Sequence, residues 1–412
     1  MGVNVLRDHD FRRLFLADTA SQVGTQVLVL ALPLVAVSAL HASEFEVGLL
    51  AACQTLAFVL IGLPAGAVVD RMRKRVVMVV ADWGRAAALV SVPVAWWLDV
   101  LTIPQLYVVA LALGVFTVFF DVAYQSYLPH LVGRDKLVAG NSALEVVRTV
   151  AQLGGPGAGG YLIQFLTAPF ALIATVVGFA WSALCLGTIK KHEVRQEPRR
   201  GNLGKEIAEG VRFVFGHTLL RRIAACTATG NMFGAMAHPM ILLLLARELE
   251  LAAGTIGLLM AAGGIGGLAG ALVNARVARW LGQGPTMWLF ALMPAPLSFA
   301  LPWMEADWRL SLYVLGEFVM GASIVIYNVT QLSFRQAITP EPLLGRMNAT
   351  MRFVVWGTLP LGGVIGGVLG EVIGIRNTLL VTAFGGCLGF LWLVTSPMRT
   401  MRELPVPQTA DQ

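Results

Sequence analysis

Charge is scarce in this sequence. Asp, Glu, Lys and Arg make up 13% of its 412 residues, against 57% apolar. A soluble protein of this size could not cover its surface with so few ionic side chains, since average usage is nearer a quarter charged. Disorder, a collagen-like repeat and a soluble Rossmann or barrel enzyme are excluded on that ground. Cysteine is also sparse. Cys53, Cys185, Cys226 and Cys387 lie inside apolar runs, with no CxxC and no metal-ligand spacing, and they read as small buried hydrophobes. No GxxxxGK[ST] loop occurs, so ATP hydrolysis is not the energy source of this polypeptide. No cofactor and no catalytic or metal site is expected. The first residues, MGVNVLRDHDFRR, lack a small-residue cleavage site, so the first span is expected to act as its own signal.

Long apolar runs are what the sequence does have. Residues 47–69, 100–120, 149–189, 223–246, 251–275, 280–304 and 377–398 contain no Asp, Glu, Lys or Arg. A helix needs about 20 apolar residues to cross a bilayer core, and 149–189 is long enough for two. Allowing one ionisable residue per span adds 15–40, 76–97, 309–334 and 344–370. Twelve spans result, with short turns except between the sixth and seventh. The expected organisation is a six-helix bundle over 1–189 and a cytoplasmic linker over 190–219. That linker contains an amphipathic helix, IAEGVRFVF at 207–215. A second bundle covers 220–397 and a cytoplasmic tail 398–412.

With the N-terminus inside, 26 of the 30 Lys and Arg residues fall on the cytoplasmic side. The outer loops hold only Arg247, Arg309 and Arg376, and Arg148 sits within a span. Both termini are therefore expected to be cytoplasmic, in a multi-pass protein of the inner membrane. This bias accounts for the net charge of +6 without a nucleic-acid partner.

The two halves repeat. A shift of 207 residues places Ser126 on Ser333, Tyr127 on Phe334, Leu137 on Leu344 and Asn141 on Asn348. It also places Gly155, Gly159, Gly160 and Leu162 on Gly362, Gly366, Gly367 and Leu369. Duplicated six-helix transporters hold substrate near the midplane and rock their halves about it.

The loop after the second span reads GAVVDRMRKR at 66–75. It resembles the signature loop of the major facilitator superfamily through Gly66, Asp70, Arg71, Lys74 and Arg75, with Arg73 where a glycine is usual. GGPGAGG at 154–160 resembles the glycine-proline motif of the exporter branches of that superfamily. The runs YLPHLVGRDKLVAGNSALE and SFRQAITPEPLLGRMNATMRF resemble bacterial drug and siderophore exporters, the macrolide-efflux and enterobactin-exporter relatives. The resemblance covers nearly the whole chain. It implies an all-helical fold of two pseudo-symmetric bundles, a monomer, and a latch in which Asp70 caps the start of the eleventh span. Independently, Gly155, Pro156, Gly159 and Gly160 strip one helix face of side chains and make a close-packing or gating surface. GPGAGG also satisfies GxGxxG, but no strand precedes it, so no dinucleotide site is expected.

Ionisable groups inside spans are costly and mark candidate function. Asp18, Gln22 and Gln26 form a stripe on the first span. Asp121, Tyr124 and Gln125 lie on the fourth, Glu145 and Arg148 on the fifth. Tyr327, Asn328 and Gln331 follow Glu317 on the tenth, and Arg352 lies on the eleventh. The 207 shift sets Asp121 on Asn328 and Glu145 on Arg352, so acids in one half face neutral or basic groups in the other. Asp82 and Arg85, at i, i+3, read as a structural ion pair. Asp18, Asp121, Glu145 and Glu317 are the candidate proton-coupling groups. Gln22, Gln26, Tyr124, Gln125, Arg148, Tyr327, Asn328, Gln331 and Arg352 are the candidate substrate-cavity groups. The expected function is proton-coupled export of a small apolar or amphipathic compound across the lipid bilayer. A nutrient importer of the same fold and a non-transporting sensor or scaffold are the alternatives.

Overall fold

The computed structural model describes residues 7–69, 71–133, 136–191 and 203–403. Among these, every regular element is helical. Eleven helical spans are long and apolar enough to cross a membrane. The twelfth, α5 (Leu137–Leu166), has 30 residues and the necessary length. It falls below the others in hydropathy because Glu145, Arg148, Gln152, Gln164 and its glycines dilute the apolar residues.

The first six spans are α1 (His9–Leu34), α2 (Glu44–Val69), α3 (Lys74–Trp97), α4 (Ile103–Val132), α5 and α6 (Ala168–Gly187). An amphipathic helix, α7 (Leu203–Gly216), precedes α8 (Thr218–Leu243) and α9 (Ala253–Leu281). The ninth span is broken into α10 (Gln283–Leu292), α11 (Ala295–Ser298) and a 3-10 turn, Leu301–Trp303. Then come α12 (Leu310–Ile338) and α13 (Leu344–Ile373). The last span divides into α14 (Ile375–Leu388) and α15 (Leu391–Val394).

Local chemistry sets the ends. Asp8 caps α1 by accepting from the amides of Asp10 and Phe11 at 2.9 and 3.2 Å. Ser43 and Glu46 close a capping box before α2: the Glu46 amide donates to Ser43 Oγ at 3.3 Å, and the Ser43 amide to Glu46 Oε2 at 2.8 Å. Gly133, at φ 75°, ends α4 in a conformation that side chains resist.

The repeat is visible in these ends. π-helical turns close the first and seventh spans at Val35–Ala39 and Leu244–Glu248, 209 residues apart. Positive φ recurs at His41 and Glu250, and at Thr167 and Gly374. The register is therefore 209 residues for the first spans and 207 for α4 to α6 against α12 to α14.

The chain divides into two compact units. One holds α1 to α6 together with Leu245–Ala261; the other holds α7, α8 up to Leu244, and everything described from Ala262 onward. In the first, Phe11, Leu14, Met78, Tyr127, Leu131 and Leu186 are fully buried in one cluster. Basic groups close its helix C-termini, where orphan carbonyls concentrate negative potential. Arg75 donates to the Ile189 carbonyl, and Lys191 Nζ to that of Leu131 at 2.8 Å. In the second unit, α7 lies on α13 through Glu209 and Arg346, paired at 2.6 Å, with Val214 fully buried. The 207–215 amphipathic stretch is thus a docked helix of that unit.

The glycine motif of α5 faces two ways within the first unit. Gly155 and Gly159 lie against Gln26 and Val27 of α1, and a Cβ at Gly159 would stand 3.3 Å from the Val27 Cα. Gly160 meets the backbone of Ala253 and Gly257 in α9, and a Cβ at Gly257 would overlap the Pro156 carbonyl. Arg247 and Glu44 pair at 3.0 Å within the same unit. A methyl at Gly160 would meet only backbone atoms of α9 and cannot be accommodated by rotating a side chain. Gly160→Ala should therefore lower thermal stability by about 1–3 kcal/mol and depress transport. Gly154→Ala, where a Cβ meets nothing within 4 Å, should leave both unchanged in the same melting and flux assays.

Candidate functional site

Ionisable groups within the spans concentrate in the first unit. Asp18, only 5% exposed, sits on α1 and accepts a hydrogen bond from Gln22 one turn on. Arg148 of α5 and Asp121 of α4 lie within its electrostatic reach, as does Asp82. Tyr124 stands in the same field, with Asp18, Asp121, Arg148 and Glu145 all acting on its hydroxyl. Four helices, α1, α3, α4 and α5, thus bring together residues that are up to 130 positions apart in the sequence. Glu145 and Arg148 are both exposed and no ion pair joins them, although i, i+3 spacing allows one.

A stacked column supports this cluster. Phe120 and Tyr124 stack at 6.0 Å with 16° between ring planes. The Arg85 guanidinium lies 4.4 Å from the Phe120 ring centroid and 4.4 Å from that of Phe179 on α6. Asp82, fully buried, pairs with Arg85, itself 4% exposed. Phe116 lies so close to Gly84 that a Cβ there would overlap its ring. The expected ion pair is present, and two aromatic faces hold it.

The second unit is built differently. α8, the broken ninth span, α12 and α14 surround a cavity of 380 Å³. No Asp, Glu, Lys, Arg or His lines it. Its polar groups are hydroxyls and amides: Thr227, Asn231, Ser298, Ser323, Tyr327, Asn328 and Thr382. Tyr327 and Thr227 share a hydrogen bond of 2.7 Å between their hydroxyls, and Asn231 Nδ2 donates to the Val355 carbonyl at 3.2 Å.

The other residues singled out in the sequence are dispersed. Gln26 packs against Gly155, and Gln125 is exposed. Gln331 is buried and lies outside the cavity lining. Arg352 lies 4.6 Å over the Trp356 ring. Glu317 is hydrogen-bonded to Tyr313 and faces Gly263 of α9, away from the cavity. Of the 66–75 loop, Asp70 lies outside the described residues; Arg71 is exposed, while Arg75 is committed to the C-terminus of the sixth span. Thr227, Asn231 and Ser323 were missed because a lone hydroxyl or amide in a span carries little signal. The 209 register finds two of them, setting Thr227 on Asp18 and Asn231 on Gln22.

Comparison with known proteins places the chain in a class. Residues 14–359 match the model of the Major Facilitator Superfamily, and the chain belongs to that family of membrane transporters. It is not an enzyme. Among relatives, the multidrug efflux pump Tap of Mycolicibacterium fortuitum is 29% identical, over 95% of this chain and 96% of that protein. The enterobactin exporter EntS of Escherichia coli O1:K1 is 26% identical, over 100% and 98%. Two solved structures share the fold at 14% identity. They are an inward-facing bacterial homologue of the iron transporter ferroportin (TM-score 0.78, covering 94% of this chain and 98% of that one) and the nucleoside transporter NupG (0.74, covering 93% and 98%).

The Asp82–Arg85 pair gives a direct test of the column. Arg85→Leu leaves a buried carboxylate without its counter-charge and should destabilise the protein by about 3–5 kcal/mol. The double change Asp82→Leu with Arg85→Leu should recover most of that loss when melting is followed in detergent.

Proposed function

We propose that this protein exports a small apolar or amphipathic compound by alternating access, against the entry of protons. The observation that carries this reading is the division of chemistry between the units: carboxylates grouped around Asp18 and Asp121 in one, an uncharged apolar cavity in the other. Carboxylates in a dry, crowded setting can be neutralised by a proton. A cavity without charge suits a lipophilic passenger. The names of the relatives, an efflux pump and an exporter, support the outward direction.

Roles follow from position. Asp18 and Asp121 bind the coupling proton, with Arg148 setting the charge of the group and Glu145 at its exposed edge. Glu317 lies apart and serves the packing of α12. Gly66, Asp70, Arg71 and Lys74 form the latch of one conformational state, Arg75 ties the end of that loop to α6, and the glycines of α5 form the face that closes or opens. The protein acts as a monomer in the inner membrane with both termini in the cytoplasm. The excess of Lys and Arg near the ends of α2, α3, α6 and α7 supports that orientation.

Everted vesicles loaded with the protein test the coupling. With a proton gradient, wild-type vesicles should accumulate the apolar dye N-phenyl-naphthylamine. Asp18→Asn and Asp121→Asn should each abolish that accumulation, while exchange of the dye down its own gradient persists. Accumulation by both variants at the wild-type rate would remove the carboxylates from the mechanism. Accumulation in intact cells instead of everted vesicles would reverse the direction.

The latch has its own signature. Arg71→Ala should slow transport at least several-fold without shifting the melting temperature, because its role is confined to one state. Arg75→Ala should lower the melting temperature, because it uncaps α6 in the folded unit itself. Equal melting behaviour and full flux in the Arg71 variant would reduce the loop to a membrane anchor.

A further inference from the structure

The cavity of the second unit is the space that side chains fill in the first. At the 209 register Met78 falls on Met287, both fully buried, and Pro93 falls on Pro302, so α3 and the ninth span correspond. Asp82 then falls on Ala291 and Arg85 on Pro294. At the 207 register of the later helices, Phe116 falls on Ser323, Phe120 on Tyr327 and Phe179 on Gly386. All five counterparts line the cavity. An ion pair and two phenylalanine rings have been replaced by alanine, proline, serine and glycine; only the ring at position 327 remains.

Two further features mark the cavity as a site and not a packing defect. Ser323 belongs to the cavity wall and is 1% exposed; its Oγ is buried behind the lining surface and has no hydrogen-bond partner. A buried hydroxyl left unmatched is a cost that a ligand can remove. The backbone is also interrupted along this wall and nowhere in the matching helices of the first unit, where α3 and α6 run unbroken. Pro294 has no N–H to give the carbonyl of Phe290, and the last span breaks at Gly389, both beside the cavity. Irregular backbone at membrane depth is tolerated where it lines a cavity.

We propose that this cavity binds an uncharged, planar aromatic molecule carrying one hydroxyl or carbonyl group. The ring lies beside Tyr327 in the slot that Phe179 and Arg85 occupy in the first unit, and Ser323 turns its buried Oγ about χ1 to meet the polar group. Charge is excluded because the ion pair's counterparts are Ala291 and Pro294, leaving nothing to neutralise an ionic ligand. The volume lies in the range of about 300–1,000 Å³ typical of small-molecule pockets. The proposal deepens the efflux reading by naming the class of compound and the unit that holds it.

Naphthol is the probe, titrated calorimetrically into the full-length protein in lipid nanodiscs, with empty nanodiscs subtracted and no gradient applied. Saturable binding at one molecule per chain is expected. Naphthoate and naphthylmethylammonium, of similar shape but charged, should bind at least tenfold more weakly. Ser323→Phe and Gly386→Phe restore the first unit's side chains, so each should abolish the binding while melting no lower than wild type. Asp121→Asn should bind normally even where it fails to accumulate dye, which separates this proposal from the coupling mechanism. No saturable binding by the wild-type protein, equal binding of the charged analogues, or retained binding in a folded Phe variant would each overturn it.

Discussion

Backbone-to-backbone contact between helices is the constraint on which this structure depends. Lipid supplies no hydrophobic force to hold one apolar helix against another, so association rests on close packing. Glycine permits that closeness. Gly159 stands against the Val27 backbone and Gly160 against Ala253, while Gly362 and Gly366 sit on the backbone of Met232 and Met236 in α8. In both units the pair so joined is the first span and the fifth, α1 with α5 and α8 with α13. The duplicated glycine frame is a duplicated helix interface. In the first unit it has gained a second face, turned towards α9.

Against that shared scaffold the two units diverge in what fills them. The first encloses an ion pair between aromatic rings and gathers carboxylates above it along the Phe120–Tyr124 stack. The second keeps the ring at Tyr327 and loses the rest, with a hydroxyl at Thr227 where the first has Asp18. Charge in one unit and a neutral cavity in the other is the division on which the proposed coupling of protons to an apolar passenger rests. It needs few substitutions: the π turns and most corner residues stay in register, and the changes are side chains at a handful of inward positions together with the breaks in the ninth and last spans.

Much of this was legible without coordinates because the bilayer imposes simple rules. Twelve spans, their short turns and the family followed from run lengths and from GAVVDRMRKR. The glycine frame at 155–160 and the Asp82–Arg85 pair also followed, since i, i+3 neighbours on a helix meet whatever surrounds them. The same spacing does not join Glu145 and Arg148, which stay apart in the presence of Asp18 and Asp121. Spacing along one helix says nothing about competing partners on others. The break of the ninth span escaped notice because 280–304 is apolar throughout, and hydropathy does not register a missing N–H.

What the sequence by itself determined is the set of helices, their repetition and the identity of the ionisable groups, since each depends on residues within a few turns of one another. Which groups meet was decided only by the tertiary structure. Asp18, Asp121 and Arg148 come together because α1, α4 and α5 pack side by side. The cavity exists because Pro294, Ser323 and Gly386, distant in the chain and unremarkable alone, converge on one place. A cavity is a property of what surrounds it. No single residue carries it, so it appears only when the surrounding helices are in position.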